Sequence, residues 1–176
     1  MPHIHEAVPS PTKIFFFLLH KNSFAKPKFI AGSSLKAFVL PLRITINPKE
    51  DNMKLILQTQ LKQLIANGSA ENAGKDHKPV VKLFTPWTGC TWLLTEILPD
   101  NPDIAFGLCD LGMGFPELGY VSLAELQAIK GPFGLSVERD ICFEATYPLS
   151  VYTKAANIAE GITENPKALA QASHSK

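Results

Sequence analysis

No apolar run in this 176-residue chain is long enough to cross a bilayer as a helix. The longest, Ile14–Leu19 (IFFFLL), falls far short of the ~20 residues a span requires. It is also a poor secretory leader, because no small-residue cleavage site follows it closely. Cysteine is scarce. Cys90, Cys109 and Cys142 are odd in number and widely spaced, which excludes a disulfide framework. Without a Cys-x-x-Cys knuckle, a zinc site with His77 is also disfavoured. Each cysteine lies in an apolar, strand-like run, so buried core thiols in a reducing cytoplasm are expected. Phosphate-binding motifs are missing as well. The chain has no Gly-x-x-x-x-Gly-Lys-Ser/Thr pattern, and Gly112-x-Gly114 lacks the third glycine of a dinucleotide fingerprint. Pro116 would interrupt the helix that such a loop opens. No Ser/His/Asp or Cys/His order and no internal repeat stands out.

Charge is sparse and unevenly placed. The chain is 45% hydrophobic and 19% charged, with a net charge of +1, a globular composition. Residues 1–52 hold seven Lys/Arg against three Asp/Glu, a net of +4. Residues 53–176 hold ten against thirteen, a net of −3. A nucleic-acid reading therefore rests on the first part alone. Direct DNA binding is the weaker alternative for the rest.

The two parts also differ in pattern. Prolines at 2, 9, 11, 27, 41 and 48 break up residues 1–52, which show neither period 2 nor period 3.6. Only Leu35–Ile46 suggests a strand pair, split by Pro41. Lys49-Glu-Asp-Asn-Met53 can be encoded as a purine-rich ribosome-binding site followed by a start codon. The expectation is a disordered or mis-assigned upstream extension over 1–52, with the native start at Met53. A single α+β domain is then expected over 53–160, and a flexible polar tail over 161–176.

Within that domain, Leu55, Leu57, Leu61, Leu64 and Ile65 fit an amphipathic helix. Asn67-Gly68 should end it through a left-handed glycine. Strands are expected at Val80–Phe84, Cys90–Leu98 and Ile104–Asp110. The last two should form an antiparallel hairpin about Pro99–Asp103, and Tyr120-Val121 adds a short fourth strand. Ser122 and Glu125 form a capping box for a helix that Gly131-Pro132 stops. Val137–Ala145 alternates as another strand, and Val151–Ile158 is a final helix. Short connections favour a small antiparallel sheet of four to five strands, with two or three short helices on one face.

The segments DHKPVVKLFTP, TWLLTE, PDIAFGLCDLGMGFPELGYVSLAEL, GPFGLSVERDICFE and PLSVY resemble a bacterial family catalogued only as a domain of unknown function, number 2958. The resemblance covers about residues 53–158. It implies a small accessory protein of plasmids and integrative elements. It brings no activity, cofactor or catalytic residue with it.

Candidate chemistry centres on the stretch LCDLGMGFPELG (108–119). Asp110 ends an apolar strand and Glu117 follows a glycine- and proline-shaped turn. With Glu96 from the neighbouring strand they would supply three oxygen ligands for Mg²⁺ or Mn²⁺, in a metal-assisted hydrolase or nuclease with His77 as base. The competing reading makes Asp110 an Asx acceptor in the turn, and Gly112, Gly114 and Gly119 carriers of positive φ. Arg139 would pair with Glu96 or Asp110. Trp87 in a turn and Phe115 in the loop are the candidate partner contacts, and Trp92 fills the core. The leading expectation is a cytoplasmic module that binds an unidentified protein partner, without a cofactor and without a membrane.

Overall fold

The computed structural model describes residues 55–175. The expected strand pair in Leu35–Ile46, the upstream extension and the start at Met53 lie outside them. Among the described residues the order is helix α1 (Gln58–Asn67), strands β1 (Val81–Phe84), β2 (Thr91–Leu98), β3 (Asn101–Asp110) and β4 (Glu117–Ser122), helix α2 (Leu123–Ala128), a 3₁₀ turn at Pro132–Gly134, strand β5 (Glu138–Arg139), and helices α3 (Leu149–Ala159) and α4 (Pro166–His174). The strands form one sheet in the order β4-β3-β2-β1-β5. Every neighbouring pair is antiparallel. The α+β class is the one the sequence implies.

Helices cover both faces of this sheet, not the single face expected. The reason lies in β2 and β3, which are apolar at both parities. Trp92, Leu94 and Ile97 point to one face, where they meet Val81, Leu83, Ala105 and Val121 under Leu64 of α1 and Leu126 of α2. Leu93 and Leu108 point to the other, beneath Leu149, Tyr152, Ala155 and Ala156 of α3 and Leu169 and Ala172 of α4. A residue with period 2 serves only one layer; an apolar run without alternation demands two. The last helix also corrects the expected flexible tail, since Leu169 and Ala172 are buried.

A bulge keeps β2 in register with both layers. Pairing steps from Leu94↔Gly107 to Glu96↔Phe106, leaving Thr95 as the extra residue. The Thr95 hydroxyl donates to the Phe106 carbonyl at 3.2 Å, and the Thr95 carbonyl accepts from Asn67 Nδ2 at 2.7 Å. Buried backbone groups displaced by a bulge need such partners. Gly68 follows Asn67 with φ −77° and ψ −4°, so it does not take the left-handed conformation expected of it. Glycine is needed there because a Cβ would overlap the Ile97 carbonyl oxygen.

Three polar ties fasten the α3–α4 pair to the sheet. Asp76 accepts from the Ser150 backbone N–H at 3.1 Å and from its hydroxyl at 2.6 Å. This places a carboxylate on the first turn of α3, where the helix dipole favours it. Asp110 holds the α3–α4 connection through the Ile162 N–H. Lys82 bonds Asp140 at 3.0 Å and also bonds Glu164.

The last tie explains why the strand expected at Val137–Ala145 stops after Arg139. The Asp140 N–H donates to the Lys82 carbonyl. Its Oδ1 then accepts from the Cys142 N–H at 3.0 Å, forming an Asx turn that ends the pairing. Beyond it Ile141 and Cys142 are exposed, which corrects the expectation of a buried Cys142. Cys90 and Cys109 are buried as expected.

Burial, the largest single influence on Asp140, pushes its pKa up. The Lys82 ammonium and the backbone N–H groups of Cys142 and Phe143 outweigh burial and leave the carboxyl below its ordinary 3.8. Burial pulls the Lys82 pKa down, but Glu164 and Asp140 together raise it. A carboxyl depressed in the folded state contributes stability above its unfolded pKa and loses it as pH falls through the folded one. Asp140→Asn should therefore flatten the loss of stability between about pH 5 and pH 2. Urea midpoints measured across that range read this directly. The opposite Lys82 contribution is lost only as pH rises above its usual 10.5.

Candidate functional site

The β3–β4 connection is a built turn. Asp110 Oδ1 accepts from the Gly112 N–H and Oδ2 from the Ile162 N–H, each at 2.8 Å. Gly112 and Gly114 turn the chain with φ of 70° and 83°, values that other residues adopt only under strain. Gly119 is not among the positive-φ residues. Asp110 is 5% exposed, and both of its oxygens are committed to backbone donors.

The proposed carboxylate trio is not brought together. Glu117 pairs with Cys109 and Glu96 with Phe106. Alternation along β3 puts Cys109 and Asp110 on opposite faces, so Glu117 and Asp110 diverge. Glu96 shares the face of Asp110 but lies about 13 Å along the strand. Among the described residues no group of three His, Cys, Asp or Glu is placed to hold a metal ion. The geometry therefore offers no Mg²⁺ or Mn²⁺ cradle at Glu96, Asp110 and Glu117.

His77 stands elsewhere. Its Nε2 is 3.2 Å from the Asn72 carbonyl, and its own carbonyl accepts from the first N–H of α3. With Lys78, Gln63, Asn67 and Glu144 it lines an open cleft of about 380 Å³ whose walls include none of the three carboxylates. Arg139, on β5, lies at the far end of the sheet from β3 and β4.

Of the two candidate partner contacts, Trp87 is half-buried. Its indole lies flat against Gly131, where a Cβ would overlap the ring, so it joins the β1–β2 turn to the segment after α2. Trp92 is buried as expected, with its Nε1 unpartnered among the described residues. Burial, helped by the Glu117 charge, pushes the Cys109 thiol up to about 12, so it is no nucleophile.

Phe115 is the exposed one, at 81%. It does not stand alone. Met113, Leu118 and Tyr120 are also exposed. Leu118 and Tyr120 pair with Leu108 and Phe106, hence share the face that α3 and α4 cover elsewhere. The Tyr120 ring lies 5.0 Å from that of Phe106. Burial, then the Glu96 charge, raises the Tyr120 pKa. Glu160, left-handed at φ 54°, rests against Gly114, and Glu117 opens β4. The result is an apolar face at the sheet edge with Glu96 and Glu160 near it, and Glu117 on the opposite face of β4. Sequence reasoning singled out Phe115 but missed Met113, Leu118 and Tyr120. The i, i+2 spacing of Leu118 and Tyr120 shows that they share a face of β4, but not that this face is left uncovered. A separate aromatic, Phe133, is wholly exposed with φ 57°.

Among the described residues no helix is long and apolar enough to cross a membrane. No curated protein and no solved structure matches the chain. A family model does match, over residues 55–163, ending just before α4. The chain belongs to the family described as "Protein of unknown function (DUF2958)".

Proposed function

We propose that this chain is a small cytoplasmic protein-binding module, an accessory protein of a bacterial mobile element, that docks a protein partner through the β3–β4 loop and the uncovered face of β4. One observation carries the docking: the β3–β4 loop and β4 expose four large apolar side chains between Met113 and Tyr120, of which Leu118 and Tyr120 share one face of the strand. Exposed apolar surface of this kind marks interaction sites on soluble domains. The mobile-element setting rests on the family resemblance alone. Trp87 keeps a smaller place in this reading, since its ring already packs on Gly131.

The test compares the full chain with a Phe115→Ala/Leu118→Lys variant as bait in a bacterial lysate. A protein retained by the first and lost by the second is then purified and titrated. The double change should weaken it by about tenfold or more, while leaving stability within ~0.5 kcal/mol because both side chains are exposed. Equal binding to both baits, or no specific partner, would refute the assignment.

A further inference from the structure

We infer that β4 takes an extended, basic segment of a partner protein as an added strand, an inference that rests on the docking site proposed above. β4 ends the sheet, with β3 on one side and no strand on the other among the described residues. An edge strand presents a row of unpaired N–H and C=O groups, and proteins that must keep it free blunt it with lysine, proline or a bulge. The six residues of β4, ELGYVS, contain no lysine and no proline. Its register with β3 runs unbroken from Cys109↔Glu117 to Ile104↔Ser122, whereas β2 carries the irregularities of the sheet. The edge is therefore regular over about 20 Å, the geometry that strand addition needs.

The side chains state what would be recognised. An added strand lays alternate residues on each face. On one face those residues meet Leu118 and Tyr120, with the exposed Met113 and Phe115 in the loop that leads into the strand. On the other face a Cβ at Gly119 would meet nothing within 4 Å, leaving room for a long side chain. Glu117 lies on that second face and Glu160 beside the loop at Gly114, both exposed, and neither β4 nor the 111–116 loop contains a lysine or arginine. Lys154 on α3 donates to the Ser175 carbonyl. The occupant must therefore bring the cations. A second copy would bring the same carboxylates to the same edge, which disfavours self-pairing.

Fluorescence anisotropy on the full chain tests this with labelled peptides of about ten residues. One alternates valine with lysine, and a second alternates valine with glutamate. Two more repeat the lysine peptide with either the valine or the lysine amides methylated. The lysine peptide should bind. The glutamate exchange, methylation of one alternate amide set, and Leu118→Lys should each weaken it about tenfold or more. Binding indifferent to both methylations would overturn strand addition, as would no binding or a preference for glutamate. Light scattering that shows a dimer dissolved by Leu118→Lys would overturn it in favour of a second copy. A natural partner sensitive to Phe115→Ala/Leu118→Lys but not competed by the lysine peptide would leave the docking site standing and remove the strand.

Discussion

Alanine at Gly68 is expected to lower the unfolding free energy by about 3 kcal/mol, read as a shifted urea midpoint at unchanged slope. On conformational grounds alone the change should help. Gly68 has φ −77° and ψ −4°, which alanine adopts freely, and fewer unfolded conformations favour the variant by up to ~1 kcal/mol. The steric cost has the opposite sign and is larger. The new Cβ would overlap the Ile97 carbonyl oxygen, a backbone atom of β2 rather than a side chain that can swing away. Ile97 pairs with Ala105, so relief must come from lifting α1 off the sheet. That movement would strip Leu64 from the first core and break the Asn67 bond to the bulge at Thr95. Gly74 is the control. Its φ is 81° and nothing lies within 4 Å of an added Cβ, so alanine there should cost only about 1 kcal/mol. Equal losses at the two sites would mean that helix α1 does not approach β2 as closely as described.

Asp110→Asn should lower stability by about 2 kcal/mol, while Glu117→Gln stays within about 0.5 kcal/mol. Both Asp110 oxygens accept from backbone N–H groups in half-buried hydrogen bonds. An amide keeps one acceptor and replaces the other with a donor, which would face either Gly112 N or Ile162 N. A buried donor left without a partner costs more than the bond it lost. Glu117 is exposed and makes no comparable contact with Asp110, because the two lie on opposite faces. Carboxylates gathered for a cation would behave differently: they repel, and neutralising either would raise stability. A rise in thermal midpoint for Asp110→Asn would therefore restore the metal reading of this loop.

Much of the fold could be read from residue patterns, and the limits have physical causes. β1 to β3, the hairpin and α2 were visible because Val/Ile/Phe-rich runs are punctuated by Pro, Asn and Gly at the turns. Residue preference marks only Tyr120-Val121 of β4 as strand, because Gly119 and Glu117 have weak strand preference; pairing with Gly107 and Cys109 recruits them. The alternation over Val137–Ala145 is genuine but overstates the strand, since Asp140 spends its backbone and side chain on Lys82 and an Asx turn. Helix α4 was missed because only Leu169 and Ala172 of PKALAQASH are buried, too few for a visible apolar stripe. At the site, the Asx role of Asp110 was legible in the Asp-x-Gly spacing. The separation of Glu96, Asp110 and Glu117 was not, since it depends on register and strand parity. The exposure of Leu118 and Tyr120 was equally hidden, because no local pattern reveals which strand ends the sheet.

The second core has a consequence for synthesis. Among the described residues Leu93 and Leu108 are covered chiefly by helices that begin at Leu149, and the ties that seat those helices join Asp76 to Ser150, Lys82 to Glu164 and Asp110 to Ile162. All of these partners lie more than fifty residues apart. While the ribosome is still making the chain, the β2–β4 meander can already have left the exit tunnel with one whole face bare. Folding of this domain must therefore wait for its final helical pair, and a nascent chain stalled before Leu149 would present Leu93 and Leu108 to chaperones rather than to solvent.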